Sequence, residues 1–205
     1  MLQHIQHLYP EKLYLASQSP RRAHLLSLIG FDFTVMAAQV DEQAVAERDP
    51  VKHCTELSLA KARNVAEKID KGLVIGADTI VVLDGEILGK PADTDEAARM
   101  LGKLSNNSHK VYTGFALVEQ PSKRTVSDYE VTSVHFRDLQ EWEIASYVRT
   151  QNPLDKAGAY GIQDQSAVFA DRIEGCFYNV VGFPLSKFYK AFFDFVNSKT
   201  RWAEK

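Results

Sequence analysis

Cysteine is scarce in this chain. Only Cys54 and Cys176 occur, far apart and outside any CxxC spacing, so neither a disulfide framework nor a zinc knuckle organises it. The six histidines are scattered without an HExxH pattern, which removes the helical zinc-hydrolase signature. No apolar run approaches the length of a bilayer crossing. The opening MLQHIQHLYPEK lacks the apolar centre of a secretory leader. A reduced, cytoplasmic, soluble protein that contacts no membrane is therefore expected. Internal repeats and low-complexity tracts are missing too. Charge of one sign is not in excess: charged residues make up 25% and the net charge is −3, which argues against disorder and against a surface that coats nucleic acid.

The length, 205 residues, is ample for a core in one two-lobed domain or two small ones. Its organising stretch is Leu73 to Leu88, LVIGADTIVVLDGEIL. Val74, Ile75, Ile80, Val81, Val82 and Leu83 predict a central strand covered on both faces, and Asp84-Gly85 a hairpin turn into a second short strand. Asp78 is out of place there, because a lone carboxylate beside a core is costly unless paired, hydrated or holding a metal. Gly76 and Ala77 keep the chain narrow, which suits something approaching the backbone closely. A bulge or strand end explains Asp78 as readily as catalysis does, and this stretch does not separate the two.

Upstream, Leu13 to Ala16 predicts a short buried strand. Ser19 then fits a helix N-cap, Pro20 the first helical position and Gly30 the stop, with Leu25, Leu26, Leu28 and Ile29 as the buried side. Arg21 and Arg22 in the first turn oppose the helix dipole unless an anion sits among the amides and guanidinium groups. Arginine forks match phosphate oxygens, although exposed arginines paired with carboxylates are the plainer alternative. No GKS or GKT follows, so this is not a Walker loop. Phe31 to Ala37 alternates like a second strand and runs into Asp41-Glu42, two carboxylates at a strand end that are either solvated or metal ligands. Pro50 to Ile69 predicts a long helix striped by Val51, Cys54, Leu57, Val65 and Ile69. Lys61 lies on that stripe, either snorkelling to water or pointing at negative charge.

Beyond the hairpin, Lys90-Pro91 leads to Asp93-Thr94-Asp95-Glu96, a capping box for a helix through Leu104. Lys110 to Glu119 and Arg124 to Phe136 predict two long neighbouring strands. Trp142, Ala145 and Val148 mark a helical stripe, with Trp142 in the core. Leu154 to Gln163, LDKAGAYGIQ, is punctuated by glycine, with Lys156, Tyr160 and Gln163 projecting. A glutamine amide offers a donor and an acceptor to a pyrimidine edge, while an ordered loop packed on the sheet accounts for the composition equally well. Ala167 to Ile173 predicts a strand. Phe188, Phe192, Phe195 and Val196 predict the buried face of a last helix.

Two kinds of anomaly remain. Arg21, Arg22, Lys61 and Lys90 are cations placed where phosphates would satisfy them. Glu42 and Asp78 are carboxylates suited to holding a divalent metal and activating water. Together they suggest hydrolysis of a polyphosphate. SxSPRR at Ser17 to Arg22, VDE at Val40 to Glu42, LxxxKA at Leu57 to Ala62, GADT at Gly76 to Thr79, Lys90-Pro91, DKAGAYGIQ at Asp155 to Gln163 and NVVGFP at Asn179 to Pro184 resemble the Maf family. The likeness covers about Leu13 to Phe195.

The resemblance implies a nucleoside triphosphate pyrophosphatase that cleaves between the α- and β-phosphates. It implies one Maf-like domain over residues 1–205, with its core at about 13–196. The implied fold is α/β: an elongated, two-lobed, mixed twisted sheet flanked by helices, with a central cleft, similar to the inosine triphosphatases. Carried over by motif, Asp78 is the catalytic base, and Glu42 with Asp78 holds Mg²⁺ or Mn²⁺. Ser17, Arg21, Arg22, Lys61 and Lys90 bind phosphates, and Arg22, Thr79 and Gln163 influence base selection. DKAGAYGIQ resembles the branch acting on dTTP and UTP, modified pyrimidine triphosphates included, rather than the branch acting on 7-methyl-GTP. A homodimer is a further family expectation. The competing reading is a nucleotide-binding regulator of septum formation and cell division without significant turnover. Intact Asp78 and Glu42 favour turnover, since binding needs only the cations. A nucleic-acid partner is disfavoured by the net charge and by the acidic stretch Asp138 to Glu143. The chain departs from the family at Asp164, where glycine is usual, at Cys176 for serine and at Phe183 for leucine. Asp164 adds negative charge near the expected base pocket, and the other two read as packing swaps.

Overall fold

The computed structural model describes residues 8–42 and 47–203, with side chains as far as residue 198. Residues 1–7, part of the stretch on which the absence of a leader was argued, lie outside the described residues. Among the described residues, strands β1 (Leu13–Ala16), β2 (Thr34–Val35), β3 (Gly72–Leu83), β4 (Glu86–Leu88), β5 (Ser108–Gln120), β6 (Thr125–Phe136) and β7 (Ala170–Glu174) form one sheet. Its order is β2-β1-β3-β5-β6-β7, and β4 pairs with β3. β1 runs parallel to β2 and β3, whereas β3–β4 and β6–β7 are antiparallel. Helices α1 (Pro20–Leu28), α2 (Pro50–Ala66), α3 (Thr94–Leu104), α4 (Glu141–Val148), α5 (Phe177–Val181) and α6 (Leu185–Ala203) complete a mixed α/β fold.

The helix starts follow side-chain chemistry. Ser19 accepts from the Arg22 amide, Asp49 from the amides of Val51 and Lys52, and Asp93 from the Glu96 amide at 2.7 Å. Asp84 and Gly85 have φ of 50° and 84°, the left-handed pair that a two-residue hairpin turn needs.

Several expectations are corrected. The second strand is only Thr34–Val35, because its template β1 ends at Ala16 and offers register partners only at Tyr14 and Leu15. Asp41 and Glu42 consequently do not sit at a strand end. The long helix stops at Ala66, not Ile69, as Lys68 and Ile69 switch to bonding the third residue back. Leu28 is exposed on α1. In α4 the inward residues are Ile144, Tyr147 and Val148, so Trp142 is 71% exposed rather than core, and Ala145 is exposed with it. Residues 165–169 form a 3₁₀ turn before β7 begins, because Asp164 caps the Ser166 amide.

The chain divides into two compact units. The first comprises the chain through Asp78, then Thr113–Glu130, then the part from Gly182 onward. Its core includes Ala16, Ala62, Val65, Val74, Ala116 and Val118, together with an aromatic group in which Phe115, Phe183 and Phe188 meet with ring centroids 4.7–6.4 Å apart. Phe183 is fully buried there, as a packing swap requires. The second unit comprises Thr79–Tyr112 and Val131–Val181. Its core joins Val81, Leu101, Leu104, Val134, Phe136, Tyr160 and Phe169.

Candidate functional site

In the first unit the loop after β1 turns on Ser17. Its buried Oγ accepts from the Ser19 amide and from Arg22 Nη1, each at 3.2 Å. Arg22 Nε also donates to the Gly182 carbonyl at 3.0 Å. Arg22 is thus not exposed, as the plainer alternative of an exposed arginine paired with a carboxylate would have it. Burial pushes its proton affinity below the ordinary value, Asp78 opposes that, Arg21 adds to it and Glu42 again opposes it. No acidic side chain stands in the first turn of α1 to offset these cations within the helix.

Asp78 lies in the middle of β3, not at an end, and is 6% exposed. Lys61 answers the question its stripe position raised. It is 8% exposed and does not snorkel; its Nζ donates to Asp78 Oδ1 at 2.7 Å and pairs with Glu42 Oε1 at 2.7 Å. What brings α2 so near the sheet is glycine. A Cβ on Gly76 would lie 2.2 Å from the Ser58 carbonyl oxygen, and one on Gly114 in β5 would lie 2.3 Å from that of Cys54. The object approaching the narrow backbone is thus α2 itself, which carries Lys61 onto Asp78.

In the second unit, Thr79 follows Asp78 in β3 and is half-buried, and Lys90 is exposed just past β4. Gln163 is exposed within the turn that Asp164 closes by donating its amide to the Gly161 carbonyl at 3.0 Å. Tyr160 does not project as expected: it is buried, with its hydroxyl 2.7 Å from His109 Nε2. Lys156 pairs with Asp155 Oδ1 at 2.5 Å and lies 3.6 Å from Asp164 Oδ2. Sequence reasoning missed His109, whose signal was the inward phase of alternation that it shares with Val111 in β5.

His109 carries a pH dependence. Burial, with a smaller contribution from His135, lowers it from 6.5 to about 4. Between those values the unfolded chain binds a proton that the folded protein refuses, so stability falls as pH falls. At pH 5 this one group should cost about 2 kcal/mol relative to neutral pH. Urea midpoints at pH 7 and pH 5 should therefore diverge less in His109→Gln than in wild type. Equal divergence would exclude His109 as the source.

A family model described as Maf-like protein matches residues 12–195. The chain belongs to the Maf family. Among curated relatives, a dTTP/UTP pyrophosphatase of Carboxydothermus hydrogenoformans is 49% identical over 179 residues, covering 87% of this chain and 96% of the relative. One from Symbiobacterium thermophilum is 49% identical over 177 residues, covering 86% and 90%. One from Dictyoglomus turgidum is 45% identical over 176 residues, covering 85% and 91%.

Whether this Maf chain suits a divalent ion can be tested on its donors. Glu42 and Asp78 place one oxygen each at 2.7 Å from a single nitrogen, so a cation already sits between them. Among the described residues no cluster of three or more His, Cys, Asp or Glu side chains forms a cage. Two carboxylates are ligands of the kind that Mg²⁺ and Mn²⁺ take, in a set that waters or other oxygens would complete. No described helix is long and apolar enough to cross a membrane.

Proposed function

We propose that this chain hydrolyses dTTP and UTP, and modified pyrimidine triphosphates of the same shape, to the monophosphate and pyrophosphate. The observation that carries the reading is the convergence of Glu42 and Asp78 on Lys61, beside the Arg22–Ser17 seat. The names of the relatives support the substrate class. Phosphoryl transfer asks mainly for positioning and charge stabilisation, which this set of cations and carboxylates can supply. In this reading Asp78 takes the proton of the attacking water. The new P–O bond forms as the α–β bridge breaks, and pyrophosphate leaves. Glu42 and Asp78 would hold a divalent ion, which when bound would supply charge neutralisation and a more acidic water.

Ser17, Arg21, Arg22, Lys61 and Lys90 bind the phosphates, and Arg22, Thr79 and Gln163 bias base choice. These roles rest on the family motifs, as do a single working domain and a homodimer, whereas a cytoplasmic location rests on the scarce cysteines outside any CxxC spacing. The test is pyrophosphate release with Mg²⁺ or Mn²⁺ from dTTP, UTP, purine triphosphates and 7-methyl-GTP. Release from dTTP and UTP, and not from 7-methyl-GTP, is expected. Turnover centred on 7-methyl-GTP would overturn the substrate. Binding without cleavage would favour the regulator.

A further inference from the structure

We propose that Asp164 is a positioning residue for base selection: its carboxylate fixes the turn that presents Gln163. The inference rests on the pyrimidine-nucleotide reading of that turn. Gly161 to Asp164 is a four-residue turn with no strand partner, closed by one backbone bond. One such bond contributes only about 1 kcal/mol, too little to hold an exposed side chain in a single orientation. The rest of the restraint comes from Asp164.

Its two oxygens accept from the Tyr147 hydroxyl at 3.1 and 3.0 Å, and Oδ1 accepts from the Ser166 amide at 2.9 Å. Ser166 is fully buried; its Oγ accepts from the Gly161 amide at 3.0 Å and lies 2.8 Å from Asp164 Oδ1 and 2.9 Å from the Gly161 carbonyl. The first and last residues of the turn are therefore tied to the same buried hydroxyl. Tyr147 stands on α4, so the carboxylate anchors the turn to a helix. Burial pushes the Tyr147 hydroxyl up, which keeps it a donor throughout the physiological range.

Gly161 leaves room for this arrangement. A Cβ there would fall 2.7 Å from Lys156 Cε and 2.8 Å from Asp164 Oδ2. On the other side of the turn, Tyr160 is pinned by His109. Gln163 thus rides between two pins. Glycine at 164 would keep the backbone path and lose every contact that the carboxylate makes. The added charge is not aimed as a free anion at a base, because its oxygens are engaged by Tyr147, Ser166 and Lys156.

The experiment compares wild type, Asp164→Ala, Asp164→Asn and Tyr147→Phe, using steady-state kinetics on dTTP, UTP and dGTP and a thermal melt of each variant. Asp164→Ala should raise KM for dTTP and UTP about tenfold, keep kcat within about threefold, and lower discrimination against dGTP about tenfold. Asp164→Asn, which can still accept from Tyr147 and Ser166, should recover most of the selectivity. Tyr147→Phe should shift selectivity in the same direction by less, and it covers the case in which Asp164→Ala does not fold. A purely structural role would lower the melting temperature without moving KM or selectivity, and that result in Asp164→Ala, or in Tyr147→Phe alone, overturns the inference. Wild type that cleaves neither dTTP nor UTP overturns the reading beneath it and the inference with it.

Discussion

Asp78→Asn should lower pyrophosphate release by at least about 10³-fold, within the range that a positioned general base contributes, and should leave nucleotide binding largely intact. The substitution keeps the size of the side chain and an oxygen able to accept from Lys61 Nζ, so α2 has no reason to move. It removes the basic oxygen and one of the two negative charges around that ammonium. Lys61, one of the cations to which binding is assigned, loses a charged partner but keeps an acceptor, and the side chains of Arg21, Arg22 and Lys90 are unaltered. The expected signature is therefore a collapse of kcat with a nucleotide dissociation constant within a few-fold of wild type. Turnover near the wild-type rate would remove Asp78 from the mechanism. A parallel collapse of binding would make its hold on the metal or substrate, and not its basicity, the larger part of its role. Glu42→Gln separates these roles: an effect that excess Mn²⁺ partly reverses is the mark of a metal ligand.

Gly76→Ala should be among the most damaging of small substitutions. The added methyl would lie 2.2 Å from the Ser58 carbonyl oxygen, 2.9 Å from the Ala62 amide nitrogen and 2.9 Å from Ala62 Cβ. Two of these neighbours are backbone, so no rotamer change relieves the clash. Either α2 lifts from β3 or the strand bends. A cost of at least about 3 kcal/mol follows from overpacking on this scale, or a fall of roughly 6–12 °C in melting temperature for a chain of this size. Activity should fall further than stability, because the same displacement withdraws Lys61 from Asp78. The control is Gly102→Ala on α3. Nothing lies within 4 Å of a Cβ there, and alanine in a helix interior should raise stability by about 1 kcal/mol. Equal melting temperatures for Gly76→Ala and wild type would refute the close approach.

The residues explain why some of this was legible and some was not. The β3 hairpin was readable because Asp84-Gly85 is local turn chemistry between apolar runs. The capping residues Ser19 and Asp93 were readable for the same reason. Lys61 was readable only as a question: helical periodicity places it on the inward stripe, but what it meets there depends on Asp78 and on Glu42, a residue outside any strand. Trp142 failed because a short helix allows more than one phase, and size favoured the wrong one. Tyr160 failed because its partner His109 lies 51 positions away, a separation that no local pattern encodes. Asp164 was visible as a departure from its family, yet its role is set by Tyr147 on a helix 17 positions earlier.

The boundary between the two units falls inside a strand, between Asp78 and Thr79, and falls again within β5 and near the middle of β6. Neither unit is a continuous piece of chain. The first is drawn from three segments and the second from two. No continuous gene fragment of this sequence encodes either one alone, and a recombination point placed at either end of β3 would trade parts of both at once. The proposed water-activating carboxylate and the proposed base-reading threonine are neighbours on one strand. In inheritance they travel together, so the share of substrate choice proposed for Thr79 would be separated from the chemistry by point substitution and not by shuffling.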